Sequence, residues 1–252
     1  MGVQCPRRAY HGEPMRVIAV PVKSLERAKG RLSGVLEPLE RAALTLAMLE
    51  DVLDACLAMP GWQTWVVSPD EAILEVSARR RARPVAEEEP GLVTAIRQVE
   101  KEAAGADALT VVLGDLPLIR AEALGGLLQN IGPVVAAPSD SDGGTNVLLR
   151  RPPQVIPPRY GTGSFRKHHQ VAHQLDIPFA RVDSPELGFD LDRPEDVPML
   201  LAAGGVTRTR TACLEMDLPA RLAPHPIQEE PRASGNRQGI RRRRAARHPA
   251  HR

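Results

Sequence analysis

The chain has 252 residues, 42% of them hydrophobic, and its 33 Lys and Arg against 31 Asp and Glu leave a net charge of +2. That length suits one substantial α/β domain, and with only 3% aromatic residues the core must rest on Val, Leu, Ile and Ala. Charge is uneven: residues 207–252 hold 11 arginines and four acids, so a basic tail follows a mildly acidic body. Cys5, Cys56 and Cys213 lie too far apart for a disulfide framework or a zinc spacing, which points to a reducing cytoplasm. No apolar run reaches the roughly 18 residues of a membrane span, so no membrane-spanning helix is expected.

Residues 1–14 lack the apolar stretch of a secretory signal and read as a disordered extension, with Met15 an alternative start. A buried strand is expected at RVIAVPV, 16–22, and it runs straight into the basic stretch KSLERAKGRLSG. Leu39, Ala43, Leu46, Leu49, Leu53 and Leu57 fall near helical spacing and predict a long amphipathic helix over 37–59. Next come a strand at QTWVVS, 63–68, a short helix at DEAILEVSARR, and a short strand at RPVAEE. A helix over 91–104 precedes ALTVVLGD, 108–115, the most strand-like run of all. AEALGGLLQNI reads as a helix, and PVVAAPS (133–139) and TNVLLRR (145–151) read as strands. A Pro-rich connection, a helix at FRKHHQVAHQL, a strand at IPFARVD, an acidic turn and a helix ending at Gly204–Gly205 complete a body of residues 15–206. From 207 the pattern stops, and residues 207–252 are expected to be disordered. No aromatic interleaves their arginines and the body is acidic, which favours a solvated extension over a nucleic-acid or membrane-surface arm.

Strands alternating with helices predict an α/β three-layer sandwich with a mostly parallel sheet. Ligands bind such sheets beyond the C-terminal strand ends, which places the loops after Val22, Ser68, Gly114 and Ser139 on one rim. Asp115, at the end of VVLGD, projects a carboxylate there; the alternative is a turn or helix-capping aspartate. In GFDLDRPED, Asp190 and Asp192 stand two apart and face the same way if the segment is extended. A metal site and a cap for the following helix are both open to them, one role for each. Gly143 and Gly144 in SDSDGGTN lead to Thr145 and Asn146, as a ligand-wrapping loop or a hairpin turn. RYGTGSFRKHH opens a helix with Gly161, Thr162, Gly163 and Ser164, and backbone N–H groups at a helix start favour anions. His169 and His173, four apart, read as surface histidines, since no HExxH pattern accompanies them. Lys23, Lys29 and Arg31 share the rim with Asp115, and cations beside a metal carboxylate suit nucleotidyl transfer. Arg27, next to Glu26, reads as solvated. Neither a Walker loop nor a dinucleotide fingerprint is present.

Taken in order, VIAVPVKSLERAKGRLSGVLEPLERAALTLAMLEDVL, VVLGDLPLI, DGGTNVLL, YGTGSFRKH and GFDLDRPED resemble the 2-phospho-L-lactate / phosphoenolpyruvate guanylyltransferases of coenzyme F-420 biosynthesis. The resemblance covers roughly residues 15–204, and the wider group has a nucleotide-diphospho-sugar transferase (Rossmann-like) fold. It implies that GTP and a small phosphorylated carboxylic acid condense to a guanosine-diphosphate-linked acid with release of pyrophosphate. It further implies Lys23, Lys29 and Arg31 on the GTP phosphates, and Asp115, Asp190 and Asp192 on magnesium (Mg2+). Thr145, Gly161 and Ser164 would contact the phospho-acid. Where the family usually has Asn after PGL this chain has Val93, and Thr94 is the residue that could substitute for a ribose or base contact. A homodimer is compatible with the resemblance.

Three other readings remain open at this level. One is a nucleotidyltransferase of the same fold acting on 3-phospho-D-glycerate, a sugar phosphate or a molybdopterin-type acceptor. Another is a nucleotide-binding protein without catalysis, against which the retained Lys23, Asp115, Asp190 and Asp192 argue. The last is a nucleic-acid-binding role, resting on the Arg tail alone. Phosphoenolpyruvate, 2-phospho-L-lactate and 3-phospho-D-glycerate share a phosphate and a carboxylate, and the Arg- and Ala-rich composition inclines the choice to phosphoenolpyruvate.

Overall fold

Apolar runs rich in Val, Leu and Ala become seven strands of one sheet in the computed structural model, which describes residues 14–223. The strands are β1 (Arg16–Pro21), β2 (Gln63–Ser68), β3 (Arg83–Ala86), β4 (Ala108–Val112), β5 (Val134–Pro138), β6 (Thr145–Arg150) and β7 (Phe179–Arg181). The helices are α1 (Pro38–Leu57), α2 (Glu71–Arg79), α3 (Leu92–Glu102), α4 (Ala121–Gln129), α5 (Ser164–Gln174), α6 (Pro185–Gly188), α7 (Asp196–Ala202), α8 (Arg208–Glu215) and α9 (Leu218–Leu222). In space the strands lie in the order β3-β2-β1-β4-β6-β5-β7. Every pairing is parallel except those of β6, which runs antiparallel between β4 and β5. The mostly parallel three-layer sheet expected from the element pattern is therefore present, with β5 and β6 joined as a hairpin through SDSDGG.

Successive strand residues face opposite sides, and each side is apolar, as a sheet covered on both faces requires. Ile18 and Val20 meet Leu49, Leu53, Ile73, Leu124 and Leu127 of the helical layer made by α1, α2 and α4. On the other face Val17, Ala19 and Leu109 meet Ala95 and Val99 of α3, while Leu148 and Ala136 meet Ala172 of α5. Each fully buried leucine or isoleucine of these layers contributes about 1.5–3 kcal/mol. Between α3 and the sheet, the wholly buried Arg150 pairs with Glu100. α1 begins cleanly: Pro38 fills the first turn, and Glu37 and Glu40 form a reciprocal capping box.

The body does not end at 206. Residues 208–222 form α8 and α9, with Cys213 and Leu218 fully buried. They join Leu32, Leu36, Leu44, Met48, Leu191 and Val197 in a separate apolar cluster. Asp51 of α1 accepts from the N–H groups of Arg208 and Thr209, both at 2.9 Å, and from the Thr209 hydroxyl at 2.6 Å, so it caps α8 across the fold. Arg221 of α9 grips Glu40 through two nitrogens, at 2.7 and 2.8 Å, and donates to the Val35 carbonyl. Sequence alone hid this because α8, RTRTACLE, has little apolar periodicity and, beyond its local Thr207 cap, is tied to the body by a distant carboxylate. The expectations for residues 1–13 and 224–252 lie outside the described residues. Among the described residues no helix is long and apolar enough to cross a membrane.

Candidate active site

The loops that follow β1, β2, β3, β4 and β5 on one rim of the sheet line an open cleft of about 900 Å³. The first loop follows β1 and folds into two 3-10 turns, Leu25–Arg27 and Gly30–Leu32. Between them Lys29 adopts a left-handed backbone, φ 49°, which turns its side chain inward while Leu32 anchors in the α8–α9 cluster. Lys23, Arg27, Lys29 and Arg31 all line the cleft. Arg27 is exposed, as expected of a solvated residue, and also forms part of the wall. Among the described residues neither Lys23 nor Arg27 has a carboxylate partner within ion-pair distance.

Lys29 is the centre of the arrangement. Its Nζ lies 2.9 Å from Asp115 Oδ2 and 2.7 Å from Asp192 Oδ1, and its side chain is only 6% exposed. Arg31 Nη1 reaches the other Asp192 oxygen at 3.3 Å. Burial works against the Lys29 ammonium, but the Asp115 and Asp192 carboxylates beside it hold its pKa above the ordinary lysine value. Burial likewise works against the Asp192 carboxylate, and Lys29, Arg31 and Lys23 outweigh it, holding the group below the ordinary aspartate value. The two directions agree, as expected of one ion pair.

Asp115 is placed by β4, and its carbonyl accepts from the Leu191 N–H at 3.2 Å, which stitches the GFDLD segment to the strand end. With Leu191 fully buried below, Asp190 and Asp192 both turn to the cleft, the same-side arrangement an extended segment predicts. Asp190 takes different partners, however. It accepts from Ser139 Oγ at 2.8 Å and from Ser141 Oγ at 3.0 Å. Burial pushes its pKa up, against the serine bonds and with the help of the neighbouring Asp115 and Asp192 charges. Asn146, expected to offer its amide to a ligand, donates to the Leu187 and Gly188 carbonyls, both at 3.0 Å, and so braces the approach to Asp190.

Among the described residues no three His, Cys, Asp or Glu side chains close into a metal cage. Asp115, Asp190 and Asp192 share the cleft, but Lys29 sits between the first and last, and Asp190 turns to serines. The donor set nonetheless suits a hard cation. Asp115 Oδ1 is buried with no hydrogen-bond partner among the described residues, and magnesium commonly takes one or two carboxylates and completes its shell with phosphate and water.

The facing wall comes from the β5–β6 hairpin and the start of α5. Gly161 and Gly163 hold φ values of 110° and 63°, which let the chain turn sharply into α5. Thr145 and Ser164 are nearly buried yet line the cleft, their hydroxyls 3.1 Å apart. Thr145 Oγ1 also lies 3.0 Å from Nδ1 of the fully buried His168. This histidine was missed in favour of His169 and His173. The clue was available: residue 168 follows Ser164 by four and so shares its helix face. His169 packs edge-on against Phe179, away from the cleft wall. Val93 and Thr94 are absent from the lining, and that helix start contributes Gly91 and Leu92 instead.

Burial, aided by Arg150, Arg159 and Lys167, pushes the His168 pKa down to about 4 from the ordinary 6.5. The Tyr160 ring closes the remaining side at 5.1 Å. A histidine held neutral contributes stability that is full above about 6.5 and is lost as pH falls toward about 4, because the unfolded chain takes up the proton first. His168→Gln should therefore flatten the pH dependence of the urea midpoint across that window, by about 3 kcal/mol in stability difference. An unchanged slope would contradict a buried neutral ring.

An α/β sheet with clustered cations and carboxylates on its C-terminal rim, and no Walker loop, suits a nucleotidyltransferase, and that is the class of its relatives. The model of the family described as guanylyl transferase CofC like matches residues 15–220, so the chain belongs to that family. It is 41% identical over 198 residues to a phosphoenolpyruvate guanylyltransferase of Rubrobacter xylanophilus, covering 76% of this chain and 97% of the relative. It is 38% identical to a 3-phospho-D-glycerate guanylyltransferase of Phenylobacterium zucineum, covering 77% and 92% of the two chains. It is 32% identical to a 2-phospho-L-lactate guanylyltransferase of Methanocaldococcus vulcanius, covering 77% and 88%. The fold is shared with a Desulfovibrio desulfuricans G20 protein provisionally called a nucleotide-diphospho-sugar transferase, with a TM-score of 0.67 at 19% identity over 83% of this chain and 97% of the other. A nucleotidyl transferase of Methanothermobacter thermautotroptrophicus has a TM-score of 0.55 at 15% identity, over 79% and 100% of the two chains.

Proposed function

We propose that the protein transfers a guanylyl group from GTP to the phosphate of phosphoenolpyruvate, releasing pyrophosphate. The observation that carries this is the Lys29 ammonium held between Asp115 and Asp192, across one cleft from the paired hydroxyls of Thr145 and Ser164. A phosphate oxygen of the acid attacks the α-phosphorus of GTP in line. The bond from that phosphorus to the bridging oxygen breaks, and the electron pair leaves with pyrophosphate. The attacking oxygen is already ionised near neutral pH, so no general base is required.

Lys23, Arg27, Lys29 and Arg31 provide the charge that draws in and orients the triphosphate. Thr145, Ser164 and the backbone around Gly161 orient the phospho-acid. Asp115, Asp190 and Asp192 would hold magnesium, which when bound neutralises the triphosphate and the charge building on the leaving group. GTP as donor goes with a cytoplasmic site of action, and the activated acid is the kind of product that coenzyme F-420 assembly would use.

Phosphoenolpyruvate is placed first because the relatives of that name reach 41% and 38% identity. The Phenylobacterium zucineum relative, at 38%, makes 3-phospho-D-glycerate the second reading. The test is pyrophosphate release with GTP, magnesium and each of the three acids in turn. The expected result is turnover with the highest kcat/KM for phosphoenolpyruvate. Silence with all three would overturn the proposal.

A further inference from the structure

We infer that His168 is a positioning residue for the acceptor side of the cleft, and that its ring frees one hydroxyl proton of the Thr145–Ser164 pair to face the ligand. The inference deepens the proposed function and rests on it.

The hydrogen-bond inventory decides the direction of each bond. The backbone N–H of Arg159 lies 2.8 Å from His168 Nε2. A backbone N–H can only donate, so Nε2 must be the acceptor. The neutral ring then carries its proton on Nδ1 and donates it to Thr145 Oγ1, 3.0 Å away. Thr145 and Ser164 hold two hydroxyl protons between them. One is spent on the bond joining the two oxygens at 3.1 Å. Among the described residues the other has no acceptor, and it faces the cleft that both residues line. This holds whichever of the two hydroxyls donates to the other.

In the opposite tautomer, Thr145 would have to donate to Nδ1 and Ser164 to Thr145. Both protons would be consumed, and the wall would present only lone pairs. Lone pairs repel a phosphate or carboxylate, whereas a hydroxyl donor binds either anion through a charge-assisted hydrogen bond. One amide of the Pro-rich connection thus sets the polarity of the acceptor wall through an imidazole that is itself fully buried. The depressed basicity of the ring supports this, since a protonated ring would leave the Arg159 N–H without an acceptor.

Two measurements test it. In the wild-type enzyme, long-range proton–nitrogen correlation of the imidazoles should show His168 as the Nδ1–H tautomer, which needs no variant to fold. The Nε2–H tautomer would overturn the inference. In kinetics, His168→Gln keeps an acceptor near Nε2 but offers no donor at Nδ1. It should raise KM for the phospho-acid about 10-fold to 100-fold, the worth of one charge-assisted hydrogen bond, with KM for GTP within about twofold. His168→Asn, whose amide nitrogen falls near Nδ1, should recover most of the acid affinity. Equal rises in both KM values, equal losses in the two variants, or no change in either would overturn the inference while leaving the functional reading intact. Wild-type silence with every acid would instead overturn the functional reading and the acceptor wall with it.

Discussion

Asp115→Asn is expected to lower the rate of pyrophosphate release by at least about 100-fold, the scale of losing one transition-state stabiliser. The side chain keeps its shape and loses its charge. Among the described residues Asp115 Oδ1 is a buried cleft oxygen without a hydrogen-bond partner, while Oδ2 is engaged by Lys29. A group with that division of labour has one oxygen positioned and one free to bind a cation. The fold should survive the change. Lys29 retains Asp192 as a counter-ion at 2.7 Å, so stability falls by about 1.5–3 kcal/mol, the worth of one hydrogen bond to a charged group. The matched measurements are a single-turnover rate and a urea midpoint. Near-normal turnover with a normal midpoint would remove Asp115 from the chemistry.

Removal of residues 207–252 should destabilise the protein by more than about 3 kcal/mol, and raise KM for GTP, relative to a chain that lacks only 224–252. The shorter chain loses buried Leu218 and Cys213 from the cluster that also seats Leu32, Leu36 and Leu191. A buried leucine alone accounts for about 1.5–3 kcal/mol. Asp51, 8% exposed, would lose the two amides and the hydroxyl that now satisfy it, which adds a desolvation penalty. Leu32 belongs to the basic loop and Leu191 separates Asp190 from Asp192, so loosening this cluster loosens both charged walls of the cleft. Denaturant unfolding and GTP titration of the two truncated chains check this. Equal midpoints for both would show that α8 and α9 are dispensable to the fold.

Much of this was legible before any coordinates. The strand at 63–68 was placed to the residue, and the helix at 37–59 to within two, because β-branched runs and helical spacing are local properties. The rim was legible as well. Once β1, β2, β4 and β5 are parallel, their C-terminal loops must share an edge, and Lys23, Lys29, Arg31 and Asp115 lie on those loops. Thr145, Gly161 and Ser164 came from motif resemblance, and they line the same cleft.

What could not be read was pairing at a distance. β6 inserts between β4 and β5 because hydrogen-bond partners are chosen by the whole sheet, not by the strand. α8 and α9 looked like an unstructured tail because their own residues carry little apolar pattern. A carboxylate 157 positions earlier caps one, and Glu40 clamps the other. His168 looked ordinary beside His169, and the roughly 100° between neighbouring positions on a helix separates a buried ring from one packed at the surface. Local composition therefore settled which segments are strands and helices and which charges reach the rim, since those depend on neighbours in the chain. The pairing of Lys29 with two acids, the diversion of Asp190 to serines and the tautomer of His168 were settled by folding, since each depends on a partner brought in from elsewhere.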